Sequence, residues 1–474
     1  MEWTWIIDWV VRLLLVAAIV YRNRSSTPVR LTWVVVVLAI PFLGAVLYLL
    51  FGEIWRRQGR LAEHQRVIEA VRDEMTQSQT ALPSAVLSDA EAVQALHYSR
   101  FFERQGAFPL RPGNHWRLYE NSAEVVSALV DDIESASRSC HLLFYIWLDD
   151  RAGTAVARAL MAAAARGVRC RVLVDALGSR EFLMSRLCSQ MRLADVEVVA
   201  AFSIGKASLR LDHRNHRKIV VIDGEIGWTG SQNMADAEFR PKRAYGPWVD
   251  VMARLTGPVV QDLQSVFAED WVLETREAIS ALVTPMPSIE KGGCPMQLYA
   301  SGPTQDFKVI RQMMIAGIFS AERELIITTP YFVPDESTVT AYCALSRAGV
   351  RAVLIVPKRN DSRLVAAASR SFYRDLLEAG VEIYEYREGL LHSKTMTMDG
   401  RWGSLETANF DRRSFELNYE NGLTIADMAF AQRLRQTQQG YIDRSDRVIL
   451  SQWIRRPAWR RLQENAARIL APIL

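Results

Sequence analysis

The chain predicts an α/β protein built as two pseudo-symmetric halves behind an N-terminal transmembrane helical hairpin. Three observations carry that expectation. A short motif rich in histidine and lysine is written twice, strand and helix patterns recur about 180 residues apart, and the first fifty residues are strongly apolar. Two α/β units of that size suit a chain of 474 residues, of which 49% are apolar.

The hairpin comes first. Leu31 to Phe51 carries no charge and lies between Arg30 and Glu53. As a helix rising 1.5 Å per residue, such a run spans roughly 30 Å, the thickness of a hydrocarbon core. Pro41 and Gly44 inside it are tolerable in a membrane helix. Upstream, Trp3 to Tyr21 is also apolar, though interrupted by Asp8 and Arg12, and Trp3, Trp5, Trp9 and Tyr21 suit interfacial belts. Glu2 and Asp8 stand where a secretory signal would be basic. The expectation is two membrane helices joined by the loop Arg22 to Arg30, so that the N-terminus and the large domain share a side, with one spanning helix and one interfacial helix as the alternative. Arginines in the loop and after the second helix nearly balance, so charge does not fix that side. The five cysteines (Cys140, Cys170, Cys188, Cys294, Cys343) are scattered and odd in number, without metal-like spacing. Free buried thiols are expected, which points to the cytoplasmic face.

Residues 55–105 are polar with apolar positions at helical spacing, a helical connector after the hairpin of residues 1–54. The first α/β half follows at 106–285 and the second at 286–474. Leu118-Tyr119 opens one and Leu298-Tyr299 the other. The buried strand His141 to Trp147 matches Glu324 to Phe332, and the helices Ala155 to Ala165 and Ser337 to Ser346 precede the matching runs Val172-Leu173-Val174 and Val353-Leu354-Ile355-Val356. The segment from Trp453 onward mixes Arg455, Arg456, Arg460, Arg461 and Arg468 with Trp459, Leu462 and Ile469. It either lies on an anionic bilayer or packs on the second half with its arginines snorkelling outward. With 57 basic against 53 acidic residues the net charge is only +4. That is too mild for a nucleic-acid binder, and no nucleic-acid partner is expected.

The motif carries the chemistry. The first copy is His216-Arg217-Lys218, four residues, Asp223, then Gly230-Ser231-Gln232-Asn233; the second is His392-Ser393-Lys394, four residues, Asp399, then Glu406-Thr407-Ala408-Asn409. The chain has seven histidines and only seven lysines, yet two lysines follow two histidines at the same spacing. Each His-x-Lys opens a strand-like run, in which residues i and i+2 face the same way, so the imidazole and the amine share one space. Asp223 and Asp399 precede Gly224 and Gly400, which favours an Asp-Gly turn over direct chemistry. A phosphodiester resists attack because it is anionic. Lys218 and Lys394 would offset its charge, while Asn233 and Asn409 would donate hydrogen bonds to its oxygens. A neutral imidazole serves as nucleophile, and its ordinary pKa of about 6.5 suits proton transfer near neutral pH. Each histidine needs its second nitrogen held by a carboxylate to fix its tautomer.

These residues resemble the phospholipase D superfamily, whose hallmark His-x-Lys-x4-Asp-x6-Gly-Ser-x-Asn occurs in two copies, and within it the bacterial cardiolipin synthases. The stretches Tyr48 to Gly52, Thr328 to Asp335, Ser414 to Glu420 and Leu470 to Pro472 carry further marks of that family. The resemblance implies phospholipase D-type halves sharing one central cleft, with His216, Lys218, Asp223, His392, Lys394 and Asp399 as the catalytic set. It further implies Ser231, Asn233, Thr407 and Asn409 at the substrate phosphate, and Glu420 and Asp250 as histidine-orienting acids. By the same resemblance His216 is the nucleophile, His392 the acid and base, and the reaction runs through phosphohistidine without metal or cofactor. The implied partners are phosphatidylglycerol and anionic membrane lipid, the implied place a bacterial inner membrane, and the alternative a phosphodiester hydrolase. One residue departs from the pattern. Glu406 stands where the family has glycine, so it either points away in ordinary β geometry or places a repelling carboxylate beside the phosphate.

Overall fold

A computed structural model describes residues 2–21, 27–52, 58–77, 99–202, 213–284, 292–302 and 309–470. Most of the arginine-bearing loop after the first helix, Arg56, Arg57 and the closing Ala471-Pro472 lie outside the described residues.

Helix α1 (Glu2–Tyr21) is long and apolar enough over Trp3–Tyr21 to cross a membrane. Its partner is not the continuous helix expected over Leu31 to Phe51. It is broken into α2 (Thr27–Ala39) and α3 (Leu43–Phe51). The cause is Pro41, which has no N–H to donate and whose ring collides with the carbonyl four residues back. Phe42 takes φ 56° at the break. The two charges that interrupt α1 answer for this break. Asp8 accepts from the Phe42 amide at 3.0 Å, and the Arg12 guanidinium donates to the Leu38 carbonyl at 2.9 Å. Asp8 and Arg12 also pair with each other and are buried, while Trp3, Trp5, Ile6, Leu13 and Leu14 point outward. Charges inside and apolar groups outside is the arrangement a bilayer imposes, because backbone groups freed by a break must be satisfied by protein.

Helix α4 (Gln58–Gln77) belongs to the connector and does more than span a distance. Val71 and Met75 are buried in a central core to which both halves contribute, and Arg72 pairs with Glu269 at 2.9 Å.

The two halves repeat one architecture. The first comprises β1 (Arg111–Tyr119), α5 (Ser122–Ser135), β2 (Ser139–Phe144), α6 (Arg151–Ala165), β3 (Arg169–Asp175), β4 (Glu197–Ala201), β5 (Ile219–Ile222), β6 (Ile226–Gly230), β7 (Met252–Thr256) and α7 (Val259–Thr275). The second comprises β8 (Cys294–Ser301), α8 (Val309–Ser320), β9 (Glu324–Thr328), α9 (Glu336–Arg347), β10 (Arg351–Pro357), α10 (Arg363–Arg370), β11 (Glu382–Tyr386), β12 (Thr395–Met398), β13 (Trp402–Glu406), β14 (Asn418–Ile425), α11 (Met428–Asp443) and finally α12 (Ala458–Leu470). Side chains cap the helices that the sequence implies. Asn121 opens α5, Asp150 α6 and Asp335 α9, each accepting from amides of the first turn.

One 16-stranded sheet runs through both halves, joined where β1 pairs with β8; besides the fourteen strands named, Ser445–Arg447 pairs with β11 and Arg214–Asn215 with β14. Outward from that seam the order is β7-β6-β5-β2-β3-β4 on one side and β14-β13-β12-β9-β10-β11 on the other, the same sequence of parts. The outer strands are parallel and read as continuous apolar runs, as in Val353-Leu354-Ile355-Val356, because helices cover both faces. Helix α7 lies buried over nearly its whole length under the middle of the sheet. Its acids are matched to arginines from three elements. Asp262 pairs with Arg111, Glu269 with Arg72 and Asp270 with Arg217.

Candidate active site

The two motif strands, β5 and β12, each begin just after a His-x-Lys, and both open into one cleft between the halves. Two short parallel pairings bring them there. Arg214–Asn215 lies along Asn418–Tyr419, and Leu390–Leu391 lies along Trp248–Val249. The His216 amide then donates to the Tyr419 carbonyl at 2.8 Å, and the His392 amide to that of Val249 at 2.8 Å. Each histidine therefore sits beside the segment of the other half that carries a carboxylate.

The carboxylates are exchanged accordingly. His216 Nδ1 lies 2.9 and 3.0 Å from the two oxygens of Glu420, and His392 Nδ1 lies 2.8 Å from Asp250. The pairs reach across 204 and 142 residues. The motif hydroxyls brace the acids. Thr407 Oγ1 donates to Glu420 at 2.6 Å and Ser231 Oγ to Asp250 at 2.6 Å. Both hydroxyls also bond the backbone just beyond, where the Asn421 and Val251 amides donate to them. The expected phosphate contacts of Ser231 and Thr407 are thus, in this structure, contacts to the orienting acids.

The lysines complete the cleft. Lys218 Nζ donates to the His216 carbonyl at 2.6 Å, and Lys394 Nζ to the His392 carbonyl at 2.6 Å and toward His392 Nε2 at 3.1 Å. Asn233 accepts from the Ile146 amide at 3.2 Å, and the Asn409 amide donates to Ser414 at 3.1 Å while its side-chain oxygen is buried without a partner.

Burial sets the protonation states. His216 is drawn down to about 4, first by desolvation and further by Lys218 and Lys394, against the pull of Glu420. His392 is lowered for the same reasons, with Asp250 opposing. Desolvation draws Lys218 down to about 7 and Lys394 to about 8. Burial alone would raise Glu420 and Asp250, but the histidine, lysine and hydroxyl contacts overcome it and hold both near 2. At neutral pH the cleft presents neutral imidazoles whose Nδ1–H groups donate to carboxylates, so that Nε2 carries the lone pair, which on His392 faces Lys394 Nζ.

Asp223 and Asp399 are not in this cleft, which corrects their place in the catalytic set. They sit at the far ends of β5 and β12, each with φ near 55° in its Asp-Gly turn. Asp223 accepts from the amides of Ser137, Arg138 and Ser139, and Asp399 from those of Glu322, Arg323 and Glu324. Each ties the motif hairpin to the first residue of its half's central strand. Their spacing to a following glycine had already favoured that role.

Glu406 also lies outside the cleft. It continues β13 and turns to the opposite side from Thr407, where the Tyr299 hydroxyl donates to it. Desolvation raises its pKa to about 8, so the buried carboxyl is protonated at neutral pH and repels nothing. Of the two sequence expectations, the harmless one holds.

Residues outside the motif spacing also line the site. Tyr145 meets the His216 ring edge to face at 4.9 Å, and Trp248 lies 4.4 Å from the His392 ring. Arg217, the middle residue of the first motif, is fully buried. It holds Asp270 at 2.7 and 2.8 Å, the Ser301 carbonyl at 2.9 Å and the Glu420 carbonyl at 3.3 Å, bolting the halves together behind the histidines. Its long side chain between a histidine and a lysine was the only sequence signal for this.

A palindromic sheet whose halves each lend a His-x-Lys to one cleft, and a carboxylate to the other half's histidine, defines a two-half phospholipase D-type protein. Similarities agree with that class. The family described as "Cardiolipin synthase, PLD-like domain" matches residues 129–271 and 314–440, and "Phospholipase_D-nuclease N-terminal" matches residues 10–53. Cardiolipin synthase A of Edwardsiella ictaluri is 36% identical over 471 residues, covering 97% of this chain and 96% of the relative. That of Yersinia pseudotuberculosis is 37% identical over 473 residues with the same coverage. A phosphatidylserine synthase from Haemophilus influenzae shares the fold with a TM-score of 0.61 at 16% identity, covering 79% of this chain and 99% of that one. The chain belongs to the cardiolipin synthase family, and it is a membrane-associated enzyme of phospholipid synthesis.

Proposed function

We propose that the chain joins two phosphatidylglycerol molecules into cardiolipin and releases glycerol, with His216 as nucleophile. The observation that carries this reading is the crossed arrangement, two neutral imidazoles each backed by a carboxylate and flanked by a lysine in one cleft. His216 Nε2 attacks phosphorus, an N–P bond forms, and the bond to the glycerol oxygen breaks. Glu420 stabilises the positive imidazole that results. Lys218 and Lys394 bind the non-bridging oxygens of the phosphate. Drawn to that anion, Lys394 leaves His392 Nε2, which takes up a proton from solvent as the anionic phosphate binds and gives it to the departing alkoxide. In the second step His392 takes the proton from the hydroxyl of a second phosphatidylglycerol, and that oxygen displaces His216. Asn233 and Asn409 are assigned to the phosphate.

The broken leg α2–α3 is assigned a second membrane crossing beside α1, with the catalytic halves on the cytoplasmic face of a bacterial inner membrane. The test uses the full chain in detergent micelles with phosphatidylglycerol. Cardiolipin and glycerol are expected in equal amounts, and nothing from His216→Ala. Phosphatidic acid as the sole product would replace the transferase reading with a hydrolase, and full activity in His216→Ala would remove the nucleophile assignment.

A further inference from the structure

Helix α12 settles one alternative from the sequence and opens another. Its inner face packs on the second half. Glu464 and Ala467 are buried, Arg456 holds Glu464 at 2.7 Å, and Arg468 reaches Asp375 at 3.3 Å and lies over the Phe372 ring. Its outer face is different. Trp459, Leu462 and Ile469 are 56, 71 and 71% exposed, and with Ala466 they form one stripe at helical spacing. Packing on the protein therefore does not account for these side chains, because their face turns away from it. Exposed single apolar residues are ordinary, but an aligned stripe of them on the outward side of a helix is not.

The surroundings say what covers it. Basic grooves run along both flanks. One, of about 630 Å³, includes Arg359, Arg363 and Arg460 beside Lys358, which pairs with Asp446, and the other includes Arg461 beside Arg374, which pairs with Glu378. Arg460 also lies over the Trp459 ring at 5.4 Å. An apolar stripe with an indole and cations at either side matches a lipid surface, with acyl chains under the stripe and phosphates level with the arginines. A protein partner's apolar face would leave Arg359, Arg363, Arg460 and Arg461 without counter-charge.

We propose that the outer face of α12 is a second membrane contact, docking on the surface of an anionic phospholipid bilayer. Trp459, Leu462 and Ile469 enter the headgroup and upper acyl region, and the flanking arginines bind lipid phosphates. This seats the second half on the membrane independently of the N-terminal hairpin. It does not depend on which lipid the enzyme transforms.

The test uses the full chain carrying Leu462→Cys labelled with an environment-sensitive dye. All five native cysteines are buried, so the label reports one position. Glu134→Cys, on an exposed position of α5, is the reference. The proteins are reconstituted into vesicles of phosphatidylcholine alone or mixed with phosphatidylglycerol, where the hairpin anchors them equally. In mixed vesicles the Leu462→Cys label is expected to shift to the blue and lose emission to brominated acyl chains. Both effects are expected to shrink in phosphatidylcholine alone and in an Arg460→Gln/Arg461→Gln background. A label that stays as wet as the Glu134→Cys reference in both vesicles overturns the proposal. So does a blue shift that appears in detergent and grows with protein concentration, which would assign the face to a second copy of the chain.

Discussion

At the last rung of the ladder in the first half stand Tyr119, Met252 and Gly230, side by side across β1, β7 and β6. At the same rung in the second half stand Tyr299, Gly422 and Glu406, across β8, β14 and β13. The volume has changed places. In the first half a Cβ on Gly230 would strike the Val251 carbonyl and Met252, and the residue takes φ 152°, a conformation side chains resist. In the second half the middle strand gives way, for a Cβ on Gly422 would strike Glu406 and Tyr299. The glycine that the family places in the motif has moved one strand over, and a tyrosine–carboxyl pair fills the space. The comparison teaches that this position answers to packing beneath the sheet, whereas the next residue, Ser231 or Thr407, answers to the cleft.

The comparison breaks most sharply at the histidines. His216→Ala is expected to lower turnover by about 10⁴-fold or more, as loss of a nucleophile does. His392→Ala is expected to be as poor with phosphatidylglycerol but to form the phosphohistidine with a nitrophenyl phosphodiester, whose leaving group needs no proton. Trapping the adduct in a rapid acid quench reads both. Equal loss of the adduct in the two variants would mean the halves do not divide the work as proposed. Next come the exchanged acids. Glu420→Gln and Asp250→Asn are each expected to cost about 10²–10⁴-fold in kcat, because each leaves an imidazole without its anion. The first should suppress adduct formation, and the second should suppress protonation of the leaving alcohol.

The lysines give a smaller and pH-dependent effect. In the empty cleft Lys218 is cationic only below about 7 and Lys394 below about 8. Because the charged form binds the phosphate, kcat/KM for a short-chain phosphatidylglycerol should fall as pH rises through this range. The histidines, lowered by burial, are already neutral across this range. A profile flat to pH 9 would contradict the lysine assignment.

The smallest effect on activity belongs to Glu406. Glu406→Gly should leave turnover per folded molecule unchanged while costing about 3 kcal/mol of stability through the cavity beneath Tyr299. Adding Gly422→Met should recover part of it by rebuilding the row of the first half. Glu406→Gln tests the charge. Desolvation pushes the folded carboxyl up to about 8, far above its ordinary value of about 4.3. The folded state therefore holds the extra proton between those values, and wild-type stability declines as pH rises through them. The glutamine variant should match wild type near pH 5 and melt higher at pH 9, as calorimetry would show.

Much of this was legible in the chain. The doubled His-x-Lys located the cleft residues, and the glycines after Asp223 and Asp399 marked turns. Offsets between matching strands announced the two halves. What stayed hidden depended on register and long-range pairing. No local spacing says that His216 meets Glu420 rather than Asp250, because the partners lie 204 residues apart and are joined by two-residue strands. Gly422 could be matched to Glu406 only once β13 and β14 were aligned. Pro41 was visible, but its effect on Leu31 to Phe51 turned on whether another helix offered partners for the opened backbone. Asp8 and Arg12, which had looked like interruptions of α1, are those partners.

The crossed carboxylates have a consequence for the chain while it is being made. The ribosome completes His216, Lys218 and Asn233 long before it reaches Glu420, and for that interval His216 has no anion to hold its tautomer. Asp250 is likewise finished early and waits for His392. A growing polypeptide already associated with the membrane thus carries no complete site toward the lipids around it. Competence arrives only when the last strand of the second half is laid against the first.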